Sequence, residues 1–249
     1  MTDFVPLIRL QLTLFMKKQL ITLIALVAIP ALSFAQTADE IISKHVAALG
    51  GADKIAAVKT MSIEQNMSIM GNDLTAKSVY VVGKSMRSDV SVMGSEITTV
   101  FNGDKGWMIN PMQGGTTPTD MPAEAMKAAK TSTQPQMMPL AYVKADGYPV
   151  SLVGKEQFNG KDAFNLKVDR PEGAFNYFVD ADNYQLLGMK GNSPQGEISA
   201  TFSDYQTVEG LTIPYGSEIN SPMAPAPITG KITKVTINGS VDEKIFAKP

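Results

Sequence analysis

His45 is the only imidazole in this chain and cysteine is absent. Disulfides, zinc ribbons, iron–sulfur clusters and thiol nucleophiles are therefore excluded, and a His-rich metal site cannot be assembled from one copy. A Ser-His-Asp triad would have to be built around His45, and no residue stands at a spacing that points to one. The G-x-S-x-G, H-E-x-x-H and phosphate-cradling Gly-rich patterns are missing as well. His45 stands four residues from both Ile41 and Leu49, on the apolar face of a helix. Two readings are open for it: a core histidine bonded to a backbone carbonyl, or a cavity-lining or catalytic group. The acidic pairs Asp180 with Asp182 and Asp242 with Glu243 sit at turn or terminal positions, where Asp bonds nearby backbone N–H groups. A weak calcium site is the alternative. These residues argue against an enzyme, and neither a cofactor nor a resident metal is expected.

Methionine is the feature that remains. Thirteen of the fifteen methionines lie beyond residue 35, among them Met61, Met67, Met70, Met86, Met93, Met108, Met112, Met121, Met126, Met137 and Met138. An unbranched, polarizable side chain suits an adaptable apolar cavity, and it also serves as plain core filling. Pairs such as Met67 with Met70 or Met137 with Met138 leave a soft-metal site as a third use. The balance of 22 basic and 24 acidic residues provides no broad positive surface for a phosphate backbone, so nucleic acid is not an expected partner. With 44% hydrophobic residues and a net charge of -2, the chain folds.

The elements that position these residues follow an address. Met16-Lys17-Lys18 precedes the apolar run Leu20 to Ile29, and Ser33-Phe34-Ala35 precedes Gln36. A basic start, an apolar run of roughly 10 to 15 residues and small residues before a cut predict a secretory signal peptide over 1–35, cleaved after Ala35, with Met16 as a second start. The run falls short of the roughly 18 residues of a spanning helix. No Cys follows the cut, so acylation there is not expected, and the product is expected in the periplasm. Residues 36–249 then suffice to bury roughly 70% of the unfolded surface in one core.

Thr37 with Glu40 predicts a capping box, Ile41, Ile42, Val46 and Leu49 recur at helical spacing, and Gly50-Gly51 closes the helix. A short helical piece is predicted over 53–59. From Thr60 the period becomes two: Met61, Ile63, Met67 and Ile69 alternate with polar residues. Turns at Gly71-Asn72-Asp73, Gly83-Lys84-Ser85, Gly94-Ser95 and Asn102-Gly103-Asp104 divide the stretch to Asn110 into five short strands. Residues 111–147 break the rhythm with five prolines, a predicted helix over 122–130 and another turn or two over 138–144. Strands resume from Val150 and continue to Ile237. The fold class is mainly β with a few helices: an unclosed, half-barrel antiparallel sheet of about 11–12 strands, with helices on its concave side.

Three stretches carry a resemblance: Ala38 to Gly51, Phe101-Asn-Gly-Asp-Lys-Gly-Trp-Met-Ile-Asn-Pro111, and Phe202-Ser-Asp-Tyr-Gln-Thr-Val-Glu-Gly-Leu211. Together they resemble the outer-membrane lipoprotein-sorting proteins of the LolA/LolB-like periplasmic lipoprotein carrier superfamily, over nearly all of residues 36–249. The resemblance implies an unclosed β-barrel with a helical lid and an apolar cavity for lipoprotein acyl chains or other lipid. It also implies inner- and outer-membrane lipoprotein machinery as partners, and a monomer. On that reading the lid is 111–147, and the cavity and lid residues are Met67, Ile69, Tyr80, Val82, Met86, Val90, Ile97, Phe101, Trp107, Ile109, Met126 and Leu140. Trp107 is expected near the cavity. One departure stands out: related carriers often have Arg-Pro before the strand that here begins at Met86, and that Arg helps hold the lid. Gly83-Lys84 stands there, so its latching role does not carry over.

The rival class is a non-enzymatic envelope interaction or scaffold protein of the same fold without lipid cargo. An outer-membrane β-barrel fits poorly, because the strands are short against the roughly 9–11 residues needed and the aromatics form no girdles. A methionine-based copper(I) binder is the remaining alternative.

Overall fold

The computed structural model describes residues 36–193, 196–222 and 224–249. The expected signal peptide and its cut lie outside the described residues. Helix α1 (Ala38–Ala48) starts at Thr37. The Glu40 N–H donates to Thr37 Oγ1 at 3.2 Å and the Thr37 N–H to the Glu40 carboxylate at 2.9 Å, the reciprocal cap that the Thr-x-x-Glu spacing predicts. The helix stops at Gly50, whose φ is 120°. A Cβ there would run into the carbonyl oxygen of Gly210, so only glycine lets the helix end close against that turn. A second helix, α2 (Ala52–Ala57), follows.

Thirteen strands are present among the described residues: β1 (Thr60–Ile69), β2 (Asn72–Val81), β3 (Ser85–Val92), β4 (Ser95–Asn102), β5 (Lys105–Asn110), β6 (Gly115–Asp120), β7 (Val150–Phe158), β8 (Lys161–Arg170), β9 (Gly173–Asp180), β10 (Leu186–Ser193), β11 (Gly196–Val208), β12 (Leu211–Asn220) and β13 (Ile228–Ile237). They form one sheet in the order β6-β5-β4-β3-β2-β1-β13-β12-β11-β10-β9-β8-β7. Every pairing is antiparallel, so the sheet consists of two meanders joined where β13 pairs with β1. β6 and β7 are its free edges, and the chain passes from one to the other over 121–149. The sheet is unclosed, as the alternation predicts, with β6 added inside the 111–147 stretch. Gly-Thr-Thr-Pro-Thr-Asp has no apolar residue to alternate, and Pro118 is tolerated because the strand is an edge.

The crossing segment carries α3 (Ala123–Met126), α4 (Ala129–Ser132) and α5 (Val143–Asp146). The single helix predicted over 122–130 is two short pieces. The break at Ala128, with φ -86° and ψ 0°, lets Ala129 and Thr131 turn inward, where both are buried.

Both sheet faces are partly covered. On the inner face α1, α2 and the crossing segment pack on two clusters: Leu49, Ile55, Met61, Tyr80, Met86, Phe101, Met138 and Ile213 in one, and Ile41, Ile42, Leu140, Val143, Leu166, Tyr177 and Leu186 in the other. Burying each large side chain contributes about 1.5–3 kcal/mol. On the outer face Val100 and Trp107 pack against Phe246 of a C-terminal 3-10 turn (Glu243–Phe246). Asp242 caps that turn by accepting the Lys244 N–H at 3.0 Å, the structural use of an acidic pair at a terminus. Residues 37–249 form one compact unit. No helix among the described residues is long and apolar enough to cross a membrane.

Candidate apolar cavity

Alternation along paired strands assigns each residue to a face. Met61 stands opposite Tyr80, Tyr80 opposite Met86, Met86 opposite Phe101, and Val90 opposite Ile97, so these side chains share the inner face. Met67 and Ile69 continue the Met61 row on β1. Val82 and Met126 pack on the same cluster as Tyr80, Met86 and Phe101, while Leu140 is fully buried in the second inner cluster. Trp107 and Ile109 lie elsewhere. They stand opposite Val100 and Thr98 on the outer face, and the Trp107 indole N–H donates to the Phe246 carbonyl at 3.2 Å. The structure thus separates Trp107 from the inner-face residues with which the sequence groups it.

A cavity of about 320 Å³ lies between the inner face and the crossing segment. Ile63 and Gln65 of β1 line it with Ser78 and Tyr80 of β2, Ile232 of β13, Tyr215, Ser217 and Ile219 of β12, Ile198, Ala200 and Phe202 of β11, and Met189 of β10; Gln136 and Met137 cover it. Six neighbouring strands therefore border one small space. Laid flat they would span about 24 Å at ~4.8 Å per strand, so the sheet curves around the cavity. Of the residues expected from the sequence, Tyr80 lines it; Met67, Ile69, Val82, Met86, Val90, Ile97 and Phe101 lie beside it on the same side of the sheet. The C-terminal half of the lining was not among the expected residues. Its signal is present in the alternation of Ile198, Ala200 and Phe202, and of Tyr215, Ser217 and Ile219. The pairing of β13 with β1 is what brings that half to the cavity.

The few polar groups around the cavity are mostly engaged. Burial pushes the Tyr80 phenol up to about 12, against hydrogen bonds with Ser78 and the Gln136 backbone that pull it down. The bond with the Gln136 backbone ties β2 to the cover. Gln136 Nε2 donates to the Thr131 and Gln134 carbonyls at 3.0 and 3.3 Å, and Gln65 Nε2 to Met67 Sδ at 3.5 Å.

Hydrogen bonds from both halves of the sheet hold the crossing segment down. Near β2 the Gly83 N–H donates to the Thr133 carbonyl at 3.1 Å. At the other side Arg170, at the end of β8, donates from Nη2 to the Pro139 carbonyl at 3.1 Å, and its guanidinium lies 5.4–5.9 Å from the Tyr177, Tyr148 and Phe175 rings. Glu172 accepts from Thr131 Oγ1 at 2.7 Å and lies 4.0 Å from Arg170. Charged hydrogen bonds and cation–π contacts of this kind are strong when shielded from water. Arg87, the arginine nearest Gly83-Lys84 in sequence, has another task on the outer face: it pairs with Asp89 at 2.8 Å and donates to the Ile245 carbonyl at 3.1 Å.

His45 is 1% exposed, and its Nδ1 lies 2.7 Å from the Tyr184 carbonyl. Burial lowers its pKa to about 4, against the upward pull of that bond, so the ring is neutral near pH 7 and Nδ1 carries the proton it donates. This is the core-histidine arrangement. Asp180 organises the β9–β10 turn: burial opposes its charge, but bonds from the Asp182 N–H, Lys161 and the Asn183 N–H outweigh that and hold the carboxyl below its usual range. Among the described residues no group of three or more His, Asp or Glu side chains is placed to hold a metal ion.

No protein-family model matches the sequence, and no curated protein matches it. Solved structures do match in fold. A LolA superfamily protein from Nitrosomonas europaea superposes with a TM-score of 0.57 at 12% identity, over 86% of this chain and 99% of that one. A DUF1329 family protein from Desulfovibrio piger gives 0.56 at 13% identity, over 84% and 96%. A domain assigned to outer membrane lipoprotein sorting, from Vibrio parahaemolyticus, gives 0.53 at 14% identity, over 84% and 95%. The fold is therefore the LolA-like one, an unclosed antiparallel sheet with a few short helices.

Proposed function

We propose that this chain is a periplasmic carrier that holds a lipoprotein acyl chain, or another lipid, between the curved sheet and the crossing segment and moves it toward the outer membrane. The observation that carries this reading is the cavity lined by Ile63, Met137, Met189, Ile198, Phe202 and Ile219 under the turns that link α4 to α5. Each buried methylene is worth ~0.8 kcal/mol, so an acyl chain of about 16 carbons costs on the order of 12 kcal/mol to hold in water. A dry pocket removes that cost during transit. Release then requires a soft lining and a cover that opens, which Met137, Met189 and a crossing segment of short helical pieces and turns provide. At about 320 Å³ the space lies near the lower end of the ~300–1,000 Å³ typical of ligand sites, so loading a long chain displaces the cover. No bond chemistry is assigned to it. Mass spectrometry of lipid co-purifying with residues 36–249, together with displacement of a fluorescent fatty acid, tests the reading. Protein free of lipid that also fails to bind the probe would overturn it.

A second reading, an envelope interaction or scaffold protein without cargo, is favoured by one observation. Met138, Leu140 and Val143 of the crossing segment are fully buried, so much of the interior is already filled by the chain itself. A stoichiometric protein partner recovered without lipid would support that reading.

A further inference from the structure

The two ends of the sheet differ in what their turns carry. At the end where α1 and α2 pack, the connections hold Gly83-Lys84, Gly103-Asp104, Asn159-Gly160, Asp182-Asn183 and Glu209-Gly210. At the opposite end they hold Met70-Gly71, Met93-Gly94 and Pro111-Met112, and the charged exception, Glu172, is tied to Thr131. Met70, Met93 and Met112 are 70%, 76% and 56% exposed, and with Val153 they are the exposed large hydrophobics among the described residues.

Turn geometry does not account for these methionines. Met70 and Gly71 have φ of 52° and 77°, Met93 and Gly94 of 49° and 80°. Two successive positive φ values define the hairpin turn that favours Asn-Gly, because a side chain longer than Asn gains nothing there and meets steric resistance. At the other end the chain fills the same turn with polar residues, Asn159-Gly160 at 49° and 78° and Glu209-Gly210 at 49° and 79°. Packing does not account for them either, since all three side chains point into water.

An apolar phase outside the protein does. The β1–β2, β3–β4 and β5–β6 turns succeed one another along one rim at two strand spacings, roughly 10 Å apart. Three separate, unbranched tips two strands apart suit a fluid apolar medium. A protein partner would need a contiguous packed patch of about 800 Å². Asp73 and Glu96 flank the first two turns, so anionic headgroups are disfavoured. On the β11–β12 side the cavity reaches toward this end of the sheet, taking residues 198–202 from a β11 that starts at 196 and 214–219 from a β12 that ends at 220, whereas on β1 and β2 it takes Ile63, Ser78 and Tyr80 from the half nearer α1 and α2.

We infer that the rim bearing Met70, Met93 and Met112 is a membrane-contacting edge that seats the chain on a zwitterionic lipid surface. The edge acts whether or not the cavity holds cargo. The test is co-sedimentation of residues 36–249 with phosphatidylcholine vesicles at high salt, comparing the wild type with M70N/M93N/M112S. The wild type is expected to pellet with the vesicles and the variant to partition at least about tenfold less. The same Asn-Gly replacements should leave the urea midpoint equal or higher, a combination that a merely structural role cannot produce. An Ala200→Phe variant, which fills the cavity, should still bind vesicles, so failure of the carrier reading is distinguishable from failure of this one. Equal sedimentation of variant and wild type, no sedimentation of the wild type, binding only to anionic vesicles and lost in salt, or a dimer abolished by the same substitutions would each overturn the inference.

Discussion

Acid should loosen this protein in part through His45. The ring is buried at the junction of α1 and the β9–β10 turn, and its pKa falls from 6.5 to about 4 because burial disfavours the imidazolium more than the Tyr184 carbonyl favours it. The unfolded chain takes up a proton near pH 6.5, and the folded chain not until about pH 4. Stability from the neutral ring is therefore complete above pH 6.5 and is lost progressively as pH falls through that window to about 4. At ~1.4 kcal/mol per pH unit the interval amounts to about 3 kcal/mol. Because carboxylates also titrate in this range, the measurement is a difference: urea unfolding at pH 7, 5.5 and 4 for wild type and for His45→Asn, whose amide keeps a donor near Nδ1 and does not titrate. The wild type should lose about 3 kcal/mol more than the variant between pH 7 and 4. Parallel curves for the two proteins would refute the reasoning, because they would mean that His45 charges in the folded state as readily as in the unfolded one.

Other outcomes follow from the cavity and its cover. Arg170→Gln removes the charged donor to Pro139 and should cost roughly 1.5–3 kcal/mol; amide exchange should quicken over 131–143 while β1 and β13 stay protected, and a uniform increase across the sheet would argue against a separable cover. Ala200→Phe should lower fluorescent fatty-acid affinity at least about tenfold with the fold intact, and unchanged affinity would place the lipid elsewhere. Trp107 emission should stay constant under saturating lipid and shift to the red when residues 243–249 are deleted, since its indole rests under Phe246; a ligand-dependent shift would contradict that placement. Met138→Ala, at a fully buried site in the cover, should cost about 2–5 kcal/mol by urea unfolding.

Local grammar made much of the fold legible. The Thr37–Glu40 cap, the Gly50 stop and the glycine-bearing turns each act over a few residues, and the structure places a helix and hairpins at them. The run Gly106-Trp107-Met108-Ile109 is where local reading fails. It has no polar alternation, because both faces are covered there: Gly106 sits under the Met126 and Met121 sulfurs, and Trp107 packs under a turn that arrives from the C-terminus. A strand buried on both faces does not announce which face is inward. β6 fails for the opposite reason, having no apolar residue at all.

What the sequence by itself determined is the kind of protein: a chain without thiols and with a single histidine, a short-strand antiparallel sheet, an interrupting proline-rich segment, and an abundance of methionine. Only tertiary structure decided where those parts meet. Pairing of β13 with β1 carries Ile198, Phe202 and Ile219 to the side of Ile63 and Tyr80, and Arg170 closes over Pro139 although 31 residues separate them. Turn and helix signals are short-range preferences of backbone and cap. A cavity wall is made by strands distant in sequence, whose adjacency follows from the global minimum of burial and edge pairing and leaves no mark on any one segment.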